Sequence, residues 1–317
     1  MAYIEKKIIN GTAYYYLTET RRVGSKFKKT RKYLGKTIPK KFATQKKKQK
    51  KVIRTLLTKK ELQGLEKIRK NYLKQHRIDK TLLEDEKERI VSFIYNTNAI
   101  EGNTLTLEET KSILTGKKIT LTEEQSDAHS VRSRKVSLPA DFAIKLERKE
   151  RDVKEVENMR ECIDFLFDYK EELTEEMILK LHYIEQKNIM SDAGKFRTVN
   201  VRVGNYLCPS WPEVPKLMSE FLTWYENAKK VLPPFELAAL VHLKFVRIHP
   251  FSDGNGRMAR LLMNFILLKS KIPLLNIFND EKILYYLVLQ KYDYDKKERP
   301  FVKYLFEVFV GQYKNYL

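Results

Sequence analysis

Residues 248–260 read Ile248-His249-Pro250-Phe251-Ser252-Asp253-Gly254-Asn255-Gly256-Arg257-Met258-Ala259-Arg260, and an apolar segment lies on either side, residues 235–246 and 261–268. The apolar spacing predicts two core helices joined by a short polar loop. The residue types of that loop suit a polyphosphate. Gly254 and Gly256 can take left-handed backbone angles and let the main chain approach a ligand. Successive N–H groups in such a turn make an anion seat, to which the next helix adds its free N–H groups and dipole. Arg257 and Arg260 are three residues apart and share the first turn, and their guanidinium forks match phosphate oxygens. Asp253 offers a hard oxygen for Mg²⁺. His249 titrates near neutral pH and is the candidate general base.

Outward from the loop, the 317-residue chain is long enough for two units. A hydrophobic content of 42% supports a core, while 32% charge and a mean hydropathy of −0.51 predict a soluble protein. No apolar run is long enough to span a membrane, and the N-terminus lacks an apolar signal segment, so the expected location is cytoplasmic. Two cysteines, Cys162 and Cys208, make neither a disulfide framework nor a metal cluster. The net charge of +21 is uneven: residues 1–80 hold 26 Lys/Arg and 5 Asp/Glu, which accounts for the whole excess. The body that carries the loop is therefore neutral, and the basic appendage has its own task to explain.

Residues 2–34 predict a three-stranded meander, with turns at Asn10-Gly11 and near Val23-Gly24-Ser25. Lys40 to Lys51 is a basic run. Together with tyrosines at 14, 15, 16 and 33 it makes nucleic acid a candidate partner of residues 1–80; a solvated basic sheet and linker accounts for the same charge. Helices are expected over 52–72, 84–100, 106–114, 153–167, 175–184, 212–225, 235–246, 257–268, 280–290 and 301–310. Residues 121–138 resist assignment. Val199, Val201 and Val203 alternate with Asn200 and Arg202 before a Gly204-Asn205 turn and Tyr206-Leu207-Cys208, a hairpin upstream of the loop. His182 and His242 lie on helical faces and read as packing residues; His76 and His129 read as surface.

The loop resembles the signature of the Fic (Fido) family, His-Pro-Phe-x-Asp-Gly-Asn-Gly-Arg-x-x-Arg, at all nine specified positions. Gly194-x-Phe196-Arg197, Trp211-Pro212-x-Val214-Pro215 and Ala239-x-x-His242 look like further family features, so the similarity spans roughly residues 85–310. It implies a mainly α, helical Fic fold with one β-hairpin flap, here with a small antiparallel β appendage. The implied activity is transfer of AMP from ATP, with Mg²⁺, to a Ser, Thr or Tyr hydroxyl of a target protein, self-modification included. In that scheme His249 is the base and Asp253 the metal ligand. Gly254, Asn255, Gly256, Arg257 and Arg260 hold phosphates, and Phe251 anchors the loop. Val199, Asn200, Val201, Arg202 and Val203 form the docking flap. Thr97-Asn98-Ala99-Ile100-Glu101-Gly102 resembles the family's inhibitory pattern, in which Glu101 would pair with Arg260. The expected division is an appendage over 1–45, a basic linker and helix over 46–84, an inhibitory region over 85–120 and a core over 121–317. A homodimer is compatible with this scheme. The alternative is a nucleic-acid-associated regulator whose Fic body uses another nucleotide donor or removes AMP.

Overall fold

The computed structural model describes residues 2–9, 12–23, 26–36, 55–78, 82–116, 140–204 and 206–317. The expected turns at Asn10-Gly11 and Gly24-Ser25, the Lys40–Lys51 run, residues 121–138, Asn205, His129 and the side chain of His76 lie outside the described residues. The chain divides into two compact units, residues 1–53 and 54–317.

The first unit is an antiparallel meander of β1 (Ala2–Ile9), β2 (Thr12–Val23) and β3 (Lys26–Gly35). Ile9 lies opposite Thr12 and Val23 opposite Lys26, with a register shift at Tyr15/Tyr16. Tyr33 packs against Tyr14 and Tyr16 at 6.3 and 5.3 Å.

The second unit is mainly α. In chain order its helices are α1 (Lys59–Ile78), α2 (Leu82–Ile100), α3 (Leu107–Leu114), α4 (Ala140–Asp168), α5 (Glu175–Gln186), α6 (Val214–Ala228), α7 (Pro234–Ile248), α8 (Asn255–Lys269), α9 (Lys282–Asp295) and α10 (Arg299–Gln312). The centre is the α7–α8 pair. Most side chains of both are buried, polar ones included, as befits helices packed on several sides. α4 and α2 pack on α8, while α6 and α10 pack on α7. No helix among the described residues is long and apolar enough to cross a membrane.

α1 and α9 run on to Ile78 and Asp295, past the expected ends at 72 and 290, and three other differences have a local reason. α1 begins at Lys59, not near residue 52. The Leu56 and Leu57 N–H groups donate to the buried Glu236 carboxylate instead of starting a helix, and Thr58 exchanges hydrogen bonds with Glu61 as the cap. α4 starts at Ala140, because the charged run through Arg151 is helix-forming without an apolar stripe to announce it. The hairpin is shorter than the valine alternation suggested. Only Arg202–Val203 (β4) and Tyr206–Leu207 (β5) pair, since the Val199 carbonyl is taken by Arg197 and the Asn200 side chain by the Trp211 N–H.

Candidate active site

α7 ends at His249, whose left-handed backbone (φ 54°) turns the chain sharply into the loop. Gly254 is also left-handed (φ 78°), and a Cβ there would lie 2.3 Å from a Glu185 carboxylate oxygen. Gly256 differs from expectation. Its φ is not positive; it sits in the first turn of α8, where a Cβ would lie 2.1 Å from Oε1 of Glu101. Its small size is therefore required by a close approach, not by a backbone angle.

The loop is folded by side chains. Asn255 brackets Phe251: its Oδ1 accepts from the Phe251 N–H and its Nδ2 donates to the Phe251 carbonyl. Phe251 is fully buried and stacks face to face on His182 at 3.6 Å. His182 Nδ1 accepts from the Gly194 N–H, which leaves Nε2 to donate to the Asp253 carbonyl. Burial pushes His182 down to about 4, so it stays neutral. His182 is thus a packing residue, as expected, and it also pins the loop. His242 is buried against Phe301 and meets the Tyr285 hydroxyl at 2.9 Å.

His249 faces a pocket of about 470 Å³ that it shares with Glu101, Gly256, Arg260, Tyr206 and Tyr286. Its Nδ1 lies 3.2 Å from the Val246 carbonyl. A carbonyl needs a donor, so the proton sits on Nδ1 and Nε2 keeps its lone pair. Burial also lowers its pKa, so the ring is neutral at pH 7 and Nε2 is free to accept a proton.

The two arginines of α8 are both buried and point to different partners. Arg257 ion-pairs with Glu185 at 2.6 Å and Glu155 at 3.1 Å. Burial lifts Glu185 to about 7 despite that cation. Arg260 donates to the Thr97 hydroxyl at 2.7 Å, the Thr97 carbonyl at 2.9 Å and Glu101 at 2.7 Å. Burial opposes its charge, but Glu101 and Tyr285 together outweigh this and hold Arg260 above its ordinary value. Glu101 follows the last residue of α2, and Gly102 (φ 101°) then reverses the chain. That segment is tied to α4: Asn103 donates to the Asp152 carbonyl and to Glu155, and Thr104 donates to the Asp152 carboxylate.

Asp253 is half-exposed at the loop tip. One of its oxygens accepts from the Gly254 N–H, and the other lies 3.2 Å from Arg151. Among the described residues no cluster of three or more His, Cys, Asp or Glu could hold a metal.

Residues 172–267, which include His249, Asp253, Arg257 and Arg260 and leave out Glu101, match the model of the Fic/DOC family. The chain is 32% identical over 78% of its length to a protein of Culex quinquefasciatus named Protein adenylyltransferase Fic. The chain carries a Fic/DOC-family domain. It spans 46% of that relative's length. Among solved structures, Fic-1 of C. elegans superimposes with a TM-score of 0.65 at 27% identity, covering 81% of this chain and 71% of that one. A Fic-domain signalling protein of Bacteroides thetaiotaomicron gives 0.65 at 25% identity, covering 80% and 96%. The fold is thus the Fic helical fold, with the β4–β5 hairpin upstream of the loop.

The ties of Asp152, Asn103 and Thr104, the buried Glu155 and Glu185, and the contact of Arg151 with Asp253 were not found by sequence reasoning. They are single polar residues on helices and in the α2–α3 connection, and they leave no local pattern. Arg197 stood within a recognised motif, but nothing local indicated what it holds.

Proposed function

We propose that the chain transfers AMP from Mg²⁺-ATP to a hydroxyl side chain of a protein, and that Glu101 restrains this activity within its own chain. The supporting observation is one pocket lined by His249, Gly256, Arg260 and Glu101. It puts a neutral imidazole beside a helix N-terminus, and an Arg beside both.

In this reading His249 Nε2 takes the proton of the target hydroxyl. That oxygen bonds to the α-phosphorus of ATP, the bond to the bridging α–β oxygen breaks, and pyrophosphate leaves. The chain's work is positioning and charge stabilisation. The α8 N-terminus at Asn255 and Gly256 seats phosphate oxygens. Arg260 engages the terminal phosphate, while Arg257, paired with Glu155 and Glu185, fixes the first turn of α8 beneath it. Asp253 fits Mg²⁺ as a single hard oxygen, a common case in which phosphates and water complete the shell. Mg²⁺, when bound, neutralises phosphate charge. The hairpin feet and strand, Val199 to Val203, dock the target as an added strand; Val199 and Val203 are both exposed.

The Glu101 carboxylate supports an autoinhibitory reading. It lies against Gly256, where an anion would sit, and it occupies Arg260 at 2.7 Å. ATP bound beside it lacks the terminal-phosphate anchor, and its α-phosphorus is misaligned. Intact-mass measurement of the Glu101→Gly variant, incubated with Mg²⁺ and each nucleoside triphosphate or with a candidate target, reads donor and self-modification together. Addition of one AMP from ATP is expected. Addition of a different group would reassign the donor, and no addition to any protein would defeat the proposal.

A second reading concerns the first unit, where Lys7 and Lys36 approach the Tyr16 and Tyr14 rings at 5.8 and 5.9 Å beside the half-exposed Tyr33. Cations interleaved with aromatics suit a nucleic acid. Full-length protein should then bind oligonucleotides with a steep loss of affinity as salt rises. Binding that ignores salt, or no binding, rejects it.

A further inference from the structure

Arg197 is 2% exposed, and it is not paired with a carboxylate among the described residues. A buried guanidinium needs its donors met, and here backbone carbonyls meet them from three separate stretches. Nε donates to the His249 carbonyl at 2.7 Å, Nη1 to the Val199 carbonyl at 2.8 Å and Nη2 to the Pro209 carbonyl at 2.7 Å. Its own main-chain N–H donates to the Pro250 carbonyl at 2.9 Å. Val199 and Pro209 are the two feet of the β4–β5 hairpin. His249 is the base, held in a left-handed conformation that a non-glycine residue rarely adopts.

We infer that Arg197 is a positioning residue that locks the hairpin to the general base, so that the segment docking the target hydroxyl and the imidazole receiving its proton keep one fixed distance. The inference rests on the adenylyl-transfer reading and deepens it. Only a planar fork reaches three carbonyls in diverging directions; a lysine ammonium is a point charge on a flexible stem. The neighbouring motif residues support the brace. Gly194 (φ 77°) lets the loop lie against α5, where a Cβ would come within 2.9 Å of Tyr183 Cβ. Phe196 packs at 5.8 Å from Phe251.

The inference predicts a split between binding and chemistry. Nucleotide touches the α8 side of the loop, whereas the brace controls the target side. In the Glu101→Gly background, Arg197→Gly should lower kcat for transfer to protein about 100-fold, the scale of a misplacement near 1 Å. Nucleotide Kd should stay within about threefold. Arg197→Lys should recover little. Millimolar guanidinium should restore about tenfold to Arg197→Gly, and methylammonium should not. Transfer within threefold of the background would overturn the inference. So would loss of nucleotide affinity and melting temperature in step with kcat, without guanidinium rescue, which is the behaviour of a residue that only supports the fold. If the Glu101→Gly background binds nucleotide yet modifies nothing, the parent reading fails and the brace is decided by hydrogen exchange. Faster exchange in Arg197→Gly, confined to residues 199–209, His249 and Phe251, supports it; unchanged exchange there contradicts it.

Discussion

Arg257 and Arg260 leave the same helical turn at 1% exposure each, yet they enter different surroundings. Arg257 goes to α4 and α5 and meets Glu155 and Glu185, at 7% and 2% exposure. Arg260 goes to the end of α2 and meets Glu101, at 30% exposure on a chain reversal. Glu155 and Glu185 are buried on core helices, whereas the partly exposed Glu101 at a helix end can swing into water while Arg260 keeps its bonds to the Thr97 hydroxyl and carbonyl. One side of α8 is therefore a fixed counter-charge, and the other is a detachable one. On the autoinhibitory reading proposed above, that difference lets a single loop be both assembled and switched off.

Four measurements break or sharpen this contrast. The largest effect belongs to the residue between the two sides: His249→Ala in the Glu101→Gly background should remove protein labelling by about 1,000-fold or more, the scale of losing a general base. Retained labelling would mean that another group takes the proton. Arg257→Met should destabilise the fold by about 3–5 kcal/mol, read by urea unfolding, because it strands buried carboxylates. If it unfolds like the wild type, the fixed side is not structural. Thr97→Val removes a neutral acceptor of Arg260 while leaving Glu101 in place, and should loosen the restraint only severalfold, consistent with about 1 kcal/mol for one such bond. A rise as large as that of Glu101→Gly would shift the restraint from the carboxylate to the threonine.

The smallest effect is in pH. Burial lowers the pKa of His249, so the free base persists below the ordinary histidine range. For the Glu101→Gly variant, kcat/KM should stay level as pH falls through 6.5 and decline only below it. A decline already under way above pH 7 would show an imidazole whose charged form is favoured.

Much of this was legible in sequence because the governing constraints are local. The α7–loop–α8 stretch places its glycines, arginines and imidazole within thirteen residues, and the Thr97–Glu101 segment lies at a helix end marked by Gly102. Partners far along the chain were not legible. Glu236 claims the Leu56 and Leu57 N–H groups from 179 or more residues away. Arg151 reaches Asp253 across 102 residues. The role of Gly256 was misread for a related reason: its size answers to Glu101, and only the folded chain brings the two together.

The central claim is that Glu101 occupies Arg260 and thereby suppresses transfer. The most direct test compares labelling of protein by ATP radiolabelled on the α-phosphate, using wild type and Glu101→Gly at equal concentration. A rise of about 100-fold or more is predicted, equivalent to nearly 3 kcal/mol of recovered positioning. Equal labelling by the two proteins, with ATP bound to both, would contradict it.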